Sequence, residues 1–85
     1  MQKGDLIDDP TIFPIIDKLR AYVAERPSAI DTVRGIREWW LAGLDPPAKL
    51  ASVAVALRQL EAEGLLEHIV LPDGGVLWRV VRTRN

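Results

Sequence analysis

The chain has 85 residues, with eleven Lys and Arg against twelve Asp and Glu, a net charge of −1 and no cysteine. This length suits one small domain, and the composition excludes a disulfide framework, a thiolate metal site and a general attraction to polyanions. No apolar run approaches the roughly 18 residues of a membrane span, and no apolar signal segment opens the chain, so we expect a cytoplasmic protein without membrane contact.

Composition divides the chain into three parts. The polar, acidic residues 1–9 are expected to form a flexible arm. A single folded domain is predicted over residues 10–82, and residues 83–85 are left as a short tail.

A first helix is predicted from about Pro10 to Glu25. Arg26 precedes Pro27 and therefore closes the helix, because a residue before proline avoids the helical region. Apolar residues recur at helical spacing and mark one buried face: Ile12, Ile15, Ile16, Leu19, Tyr22 and Val23.

A short extended piece at Ser28–Ile30 is expected to precede a second helix. Asp31 would cap that helix, which would run to about Ala42. Gly35 lies in its interior, where glycine costs about 1 kcal/mol relative to alanine. Either another element packs closely against Gly35, or the glycine is merely tolerated there.

Two adjacent tryptophans follow in the same helix. Val33, Ile36 and Trp40 follow one another at helical spacing, and Trp39 flanks that stripe. Since adjacent helical residues are about 100° apart, only one indole can take the core position, and the spacing leaves open which one. Trp39 is a candidate anchor for a protein interface, where tryptophan is enriched.

The third helix should begin with Asp45 as N-cap and Pro46 at its first position, after a short turn at Ala42–Leu44. It would span about 18 residues and end at Gly64, which suits the left-handed position after a helix. A short glycine-containing turn between two helices is typical of a helix-turn-helix. The third helix carries one apolar stripe: Leu50, Val53, Leu57 and Leu60.

A β-hairpin should complete the domain. The segments LLEHIVL and VLWRVV are rich in β-branched and aromatic residues, and the turn formers Pro72–Gly75 separate them. The predicted fold class is therefore mostly α with a small antiparallel β-hairpin.

The stretch ALRQLEAEGLLEHIVLPDGGVLWRVV, residues 56–81, resembles the second half of a winged helix-turn-helix domain. In that superfamily a recognition helix with an L-x-x-L-x-x-x-G-L-like pattern runs into a two-stranded wing. With the two preceding helices, the resemblance covers about Ile12 to Val81. It implies a three-helix core with a wing, and double-stranded DNA as partner, with the third helix in the major groove and the wing on the backbone or minor groove.

The resemblance directs attention to side chains that read bases or neutralise phosphates. The third helix offers few of them on its outer face, and the hairpin tip Pro72–Gly75 carries a negative charge where the family usually presents Lys or Arg. The arginines near the last strand can instead be a solvated edge that discourages strand pairing. The candidate DNA contacts are Lys49, Ser52, Arg58, Gln59, Arg79, Arg82 and Arg84.

The outer face of the third helix has a second interpretation. Small apolar residues there would let another helix approach closely, which suggests a protein partner or a homodimer. Alanine is also simply a good helix former on an exposed surface. The candidate interface residues on this helix are Ala48, Ala51, Val55 and Ala62.

The sequence gives little support to catalysis. His68 is the only histidine and lies among apolar strand residues, and Ser28 and Ser52 are the only serines, so no nucleophile and base are paired. We predict no enzyme, cofactor, metal or small-molecule substrate. The expected function is a regulatory, non-catalytic interaction module that makes protein contact through the third helix. The alternative, nearly as well supported, is a transcriptional regulator that binds double-stranded DNA through the third helix and the wing.

Overall fold

The computed structural model describes residues 12–81 as three helical elements and a three-stranded antiparallel sheet. The predicted arm, the start of the first helix at Pro10, Arg82, Arg84 and the tail lie outside the described residues. The elements are, in order, α1 (Ile12–Glu25), β1 (Ile30–Asp31), α2 (Val33–Gly35) with a π-helical segment (Ile36–Trp40), α3 (Leu50–Ala62), β2 (Leu66–Val70) and β3 (Val76–Val80).

The apolar face of α1 packs into the hydrophobic core, as the spacing of its residues predicts. Ile12, Ile15, Ile16, Leu19 and Val23 are all buried, with Tyr22 packed at their edge. They meet the stripe of α3, in which Val53, Leu57 and Leu60 are buried as predicted. Ala56 joins this stripe, whereas Leu50 is only half-buried.

The second helical region starts and ends differently from the prediction. Thr32, rather than Asp31, is the N-cap, and its Oγ1 accepts a hydrogen bond from the Gly35 N–H at 3.1 Å. Asp31 belongs instead to β1, where it pairs with Trp78. The helical region ends at Trp40, two residues before the predicted Ala42.

The side chain of Asp31 also explains the glycine at position 35. Its carboxylate occupies the space that a Cβ on Gly35 would need. Of the two explanations for Gly35, close approach is therefore the one that the structure supports, although the approaching group is a single side chain. The same carboxylate accepts a hydrogen bond from the Thr32 N–H at 2.8 Å.

The predicted start of α3 at Pro46 is wrong. The helix begins at Leu50, has Lys49 as an N-cap without a side-chain hydrogen bond, and contains 13 residues. Pro46, the predicted first helical residue, itself precedes Pro47, which keeps Pro46 out of the helical region, so a helix capped by Asp45 cannot begin there. Residues 41–49 therefore connect the two helices, a longer connection than the predicted turn at Ala42–Leu44.

The end of α3 and the hairpin are as predicted. Gly64 has a φ of +82°, and the N–H groups of Gly64 and Leu65 bond to the carbonyls of Glu61 and Leu60. These two hydrogen bonds form a Schellman motif, which turns the chain directly into β2. β2 and β3 pair in antiparallel register, and β1 adds to the far side of β3 to give the order β1-β3-β2.

Candidate functional site

The solvent-facing surface of α3 exposes fewer apolar residues than predicted. Ala51, Arg58 and Ala62 are exposed, and Val55 is half-buried and packs against the core. Ala48 is buried in the connection before the helix, so its assignment to the outer face is wrong. The error follows from the late start of α3, because a residue before the helix does not follow the helical rotation. We call Ala51, Val55, Arg58 and Ala62 the outer stripe of α3.

The two polar residues at the front of α3 differ in accessibility. Lys49 is exposed at the N-cap, whereas Ser52 is half-buried. Lys49 and Arg58 make no ion pair with any residue of the range 12–81. They are nine residues apart, which is about 13.5 Å along a helix axis. Among the candidate DNA contacts within residues 12–81, these two are exposed and carry no ion pair.

Gln59 is committed to an intramolecular network at the end of α3. Its amide nitrogen donates to Glu63 at 2.7 Å, and the guanidinium of Arg20 donates to both oxygens of the same carboxylate at 2.5 and 2.8 Å. The bonds from Arg20 and then Gln59 lower the pKa of Glu63 below its usual value. The network joins α1 to α3, and the hydrogen bond to Glu63 leaves the Gln59 amide less available for contact with DNA.

Arg79 is also held by a carboxylate. Its Nε donates to Glu67 Oε2 at 2.5 Å across the β2–β3 pair, where the two residues are register partners. Both side chains remain partly exposed. An arginine already paired in this way contributes less binding energy to a phosphate contact, because the phosphate must first displace the carboxylate or bind beside its negative charge. Of the three predicted C-terminal arginines, Arg79 is the one that the structure describes.

The distal half of the hairpin is apolar. Val70 and Val76 face each other across the strands and are 64% and 38% exposed. Ile69 and Leu77 form the neighbouring pair on the opposite face and are half-buried. Asp73 is the single charged residue of the loop, and its carboxylate accepts the Gly75 N–H at 2.9 Å. The hairpin tip therefore offers no cation to DNA.

The tryptophan pair is divided between core and surface, as predicted. Trp40 is 3% exposed and stacks on Tyr22, whereas Trp39 is 70% exposed. Along the helical region, Arg37 lies on one flank of the buried residues Ile36 and Trp40, and Trp39 lies on the other. Arg37 reaches Ala48 near the start of α3, so Trp39 points to a different side of the domain.

His68 has neighbours that differ from the predicted apolar set. It is exposed, its Nδ1 lies 2.5 Å from Glu61 Oε2, and its ring is tilted over Trp78 with centroids 5.3 Å apart. The hairpin register alone could have placed His68 opposite Trp78, whereas the contact with Glu61 depends on how β2 folds back along α3.

The described residues contain no metal cluster. Residues 12–81 hold no group of three or more His, Asp or Glu side chains able to share a metal ion, and no helix among them is long and apolar enough to cross a membrane. An open groove of about 540 Å³ runs between α1 and the end of β3. Arg20 is its one charged lining residue and is already paired with Glu63.

No protein family, curated protein or solved structure matches the chain in comparisons with known proteins.

Proposed function

We propose that the chain is a winged-helix domain that serves as a non-catalytic, regulatory interaction module and binds a protein partner. The order helix, strand, helix, helix, hairpin supports this fold, as does the addition of β1 to the hairpin to form one sheet. The connection over residues 41–49 is longer than a helix-turn-helix turn, so under this proposal the chain is a divergent version of the arrangement.

The exposure of Trp39 carries the proposal of protein contact. The indole of Trp39 is 70% exposed, and burying it against a partner would remove apolar surface from water, which is favourable. Tryptophan is also enriched among the residues that contribute most to the binding energy of interfaces. Trp39 has no packing role comparable to that of Trp40, which fills the core beside Tyr22. The outer stripe of α3 is a second contact surface, because its two alanines allow a close approach around Arg58.

The experiment places a photo-crosslinking amino acid at position 39 or position 51 in cells that express the protein. We expect protein adducts that depend on the position, whereas a matched probe at Asp17, exposed on α1, should give none of them. Equal labelling from all three positions would contradict a defined interface.

Double-stranded DNA remains the second candidate, because Lys49 and Arg58 are exposed and carry no ion pair with the residues in 12–81. A fluorescent mixed-sequence duplex is titrated at low and at high salt. Two phosphate contacts would give a slope of log affinity against log salt of about −2, and Lys49→Ala or Arg58→Ala would reduce its magnitude by about 1. We expect no binding at low salt, and a salt-dependent signal lost in these variants would favour DNA instead.

A further inference from the structure

One edge of the sheet has backbone groups that point to solvent. The Val81 N–H bonds to the Leu65 carbonyl at 3.0 Å, and the Leu71 N–H bonds to the Gly75 carbonyl at 2.7 Å. Because antiparallel ladders alternate, the odd-numbered residues of β2 bond to β3, and the even-numbered residues direct N–H and C=O away from it. No backbone group of residues 12–81 pairs with those outward groups. Leu66 is buried, so the outward groups that face solvent are those of the exposed residues His68 and Val70.

This edge lacks the features that usually prevent strands from pairing between molecules. Natural edges are blocked by proline, charged side chains, bulges or a covering element. The one carboxylate of β2, that of Glu67, is paired with Arg79 of the adjacent strand β3. β2 has the sequence LEHIV, which contains neither proline nor lysine, and its five register pairs with β3 run without a bulge. The strand can therefore accept another strand at its free edge.

The hairpin also exposes apolar side chains that an added strand would cover. Val70, which lies in β2, is the second most exposed large hydrophobic residue of the described chain, after Trp39. Ile69 is half-buried on the other face. An added strand would therefore cover apolar surface on both faces of the sheet.

We propose that β2 pairs antiparallel with β2 of a second copy, about a two-fold axis at Ile69, to form one continuous six-stranded sheet from two three-stranded ones. In this register His68 and Val70 exchange backbone hydrogen bonds between copies. The two Ile69 side chains meet on one face, and Val70 lies opposite His68 of the second copy on the other.

The charges and the proline around β2 select this register among its neighbours. An axis at Glu67 would place two carboxylates opposite each other, and an axis at His68 would do the same with two imidazoles. An axis at Val70 would place Glu67 opposite Asp73, and it would set Pro72, which has no N–H, opposite His68 beside the axis. The axis at Ile69 sets Pro72 only opposite Leu66, outside the pairs of His68 and Val70. The strand is thus self-complementary about Ile69, which favours a second copy as its occupant.

The association should be weak and concentration-dependent. A stable interface usually buries about 800 Å² on each partner, more than a five-residue strand can supply alone. The pairing uses neither Trp39 nor the outer stripe of α3, so it stands or fails independently of the proposed protein contact.

A single introduced cysteine tests the pairing, because the chain has none of its own. In Ile69→Cys the Cα atoms of the two cysteines, one from each copy, would be about 4.5 Å apart, within the range of a disulfide. Leu77→Cys is the matched control, since Leu77 is the register partner of Ile69, is equally half-buried and is one strand further from the axis. Its two Cα atoms would be about 14 Å apart, too far to bridge.

We expect Ile69→Cys to form a disulfide-linked dimer under mild oxidation at least about tenfold faster than Leu77→Cys, because of the higher effective concentration. The mass of the unaltered protein in solution should rise above 9.5 kDa toward twice that value as concentration increases. Val70→Lys should hold it at the monomer mass. Equal crosslinking of the two cysteine variants, or a monomer mass at all concentrations, would overturn the proposal.

Discussion

The phenol ring of Tyr22 stacks on the indole of Trp40, with ring centroids 4.8 Å apart and ring planes inclined by 11°. The guanidinium of Arg26 lies on Tyr22 as well, 4.3 Å from the ring centroid. This stack fixes α1 against the π-helical segment and gives the two adjacent tryptophans opposite roles.

We expect Trp40→Ala to reduce the free energy of unfolding by about 3–5 kcal/mol, because it leaves a cavity beside Tyr22. Trp39→Ala is the control and should change the free energy by less than about 0.5 kcal/mol, since its indole is mostly in water. Urea denaturation followed by circular dichroism measures both. A similar loss in the two variants would mean that Trp39 also supports the fold.

The ion pair between Arg20 and Glu63 should make stability depend on pH in the acid range. Because folding lowers the pKa of Glu63, the stabilisation is complete above the usual glutamate value near 4.3 and is lost as pH falls through the lower folded-state pKa. Arg20→Gln should raise the pKa of Glu63 toward its usual value in a carboxyl NMR titration.

Glu63→Gln tests the same pair through the free energy of unfolding. Both side chains are partly exposed, so we expect a loss of at most about 1 kcal/mol at neutral pH that disappears in acid. Glu25→Gln is the control, because the nearest guanidinium, that of Arg26, is 3.6 Å away and both groups are exposed. A loss from Glu63→Gln that stayed constant with pH would indicate a packing effect.

A double-mutant cycle should detect the contact between Asp31 and Gly35. Gly35→Ala gains about 1 kcal/mol in helix propensity but forces the Asp31 carboxylate away from the Thr32 N–H, so the net change should be near zero or unfavourable. In an Asp31→Ala background the same substitution should stabilise the protein. Thermal or urea unfolding of the four proteins should give a coupling of about 1 kcal/mol, and additive effects would exclude the contact.

Glutamate substitutions should distinguish the packed part of the outer stripe from its exposed part. Val55→Glu should destabilise the monomer by about 1–3 kcal/mol, because Val55 packs against the core. Ala51→Glu, four residues earlier and exposed, should leave the free energy of unfolding within about 0.5 kcal/mol. Only the second variant is therefore suitable for testing partner binding. An equal loss from both would show that Ala51 is less accessible than its position indicates.

The parts of the fold that depend on local pattern were predictable from the sequence. The apolar spacing of α1, the glycine after α3 and the turn formers of the hairpin each act within a few residues, and each prediction is confirmed. The start of α3 differs from the prediction because Pro47 keeps Pro46 out of the helical region, an effect that the capping preference of Asp45 does not reveal. The pairing of β1 with β3 is a contact between distant segments, which no local signal specifies.

The candidate site was predictable to a smaller extent. Helical spacing shows that one tryptophan of the pair must leave the core, but the position of neighbouring Tyr22 decides that it is Trp39. Gln59 and Arg79 look available in sequence, and only tertiary contacts commit them to Glu63 and Glu67. The residues left accessible on α3 are therefore fewer than the sequence indicates.

The hydrogen bond of 2.6 Å from Arg37 Nε to the Ala48 carbonyl has a consequence for how the chain tolerates change. It fastens both ends of the segment between these residues, so that the segment forms a closed surface loop. Adding residues to such a loop costs little, since doubling its length adds only about 0.6 kcal/mol of closure entropy. Related chains should therefore vary in length between Leu41 and Pro47 while keeping a donor at position 37, because that donor holds the Ala48 carbonyl just before α3.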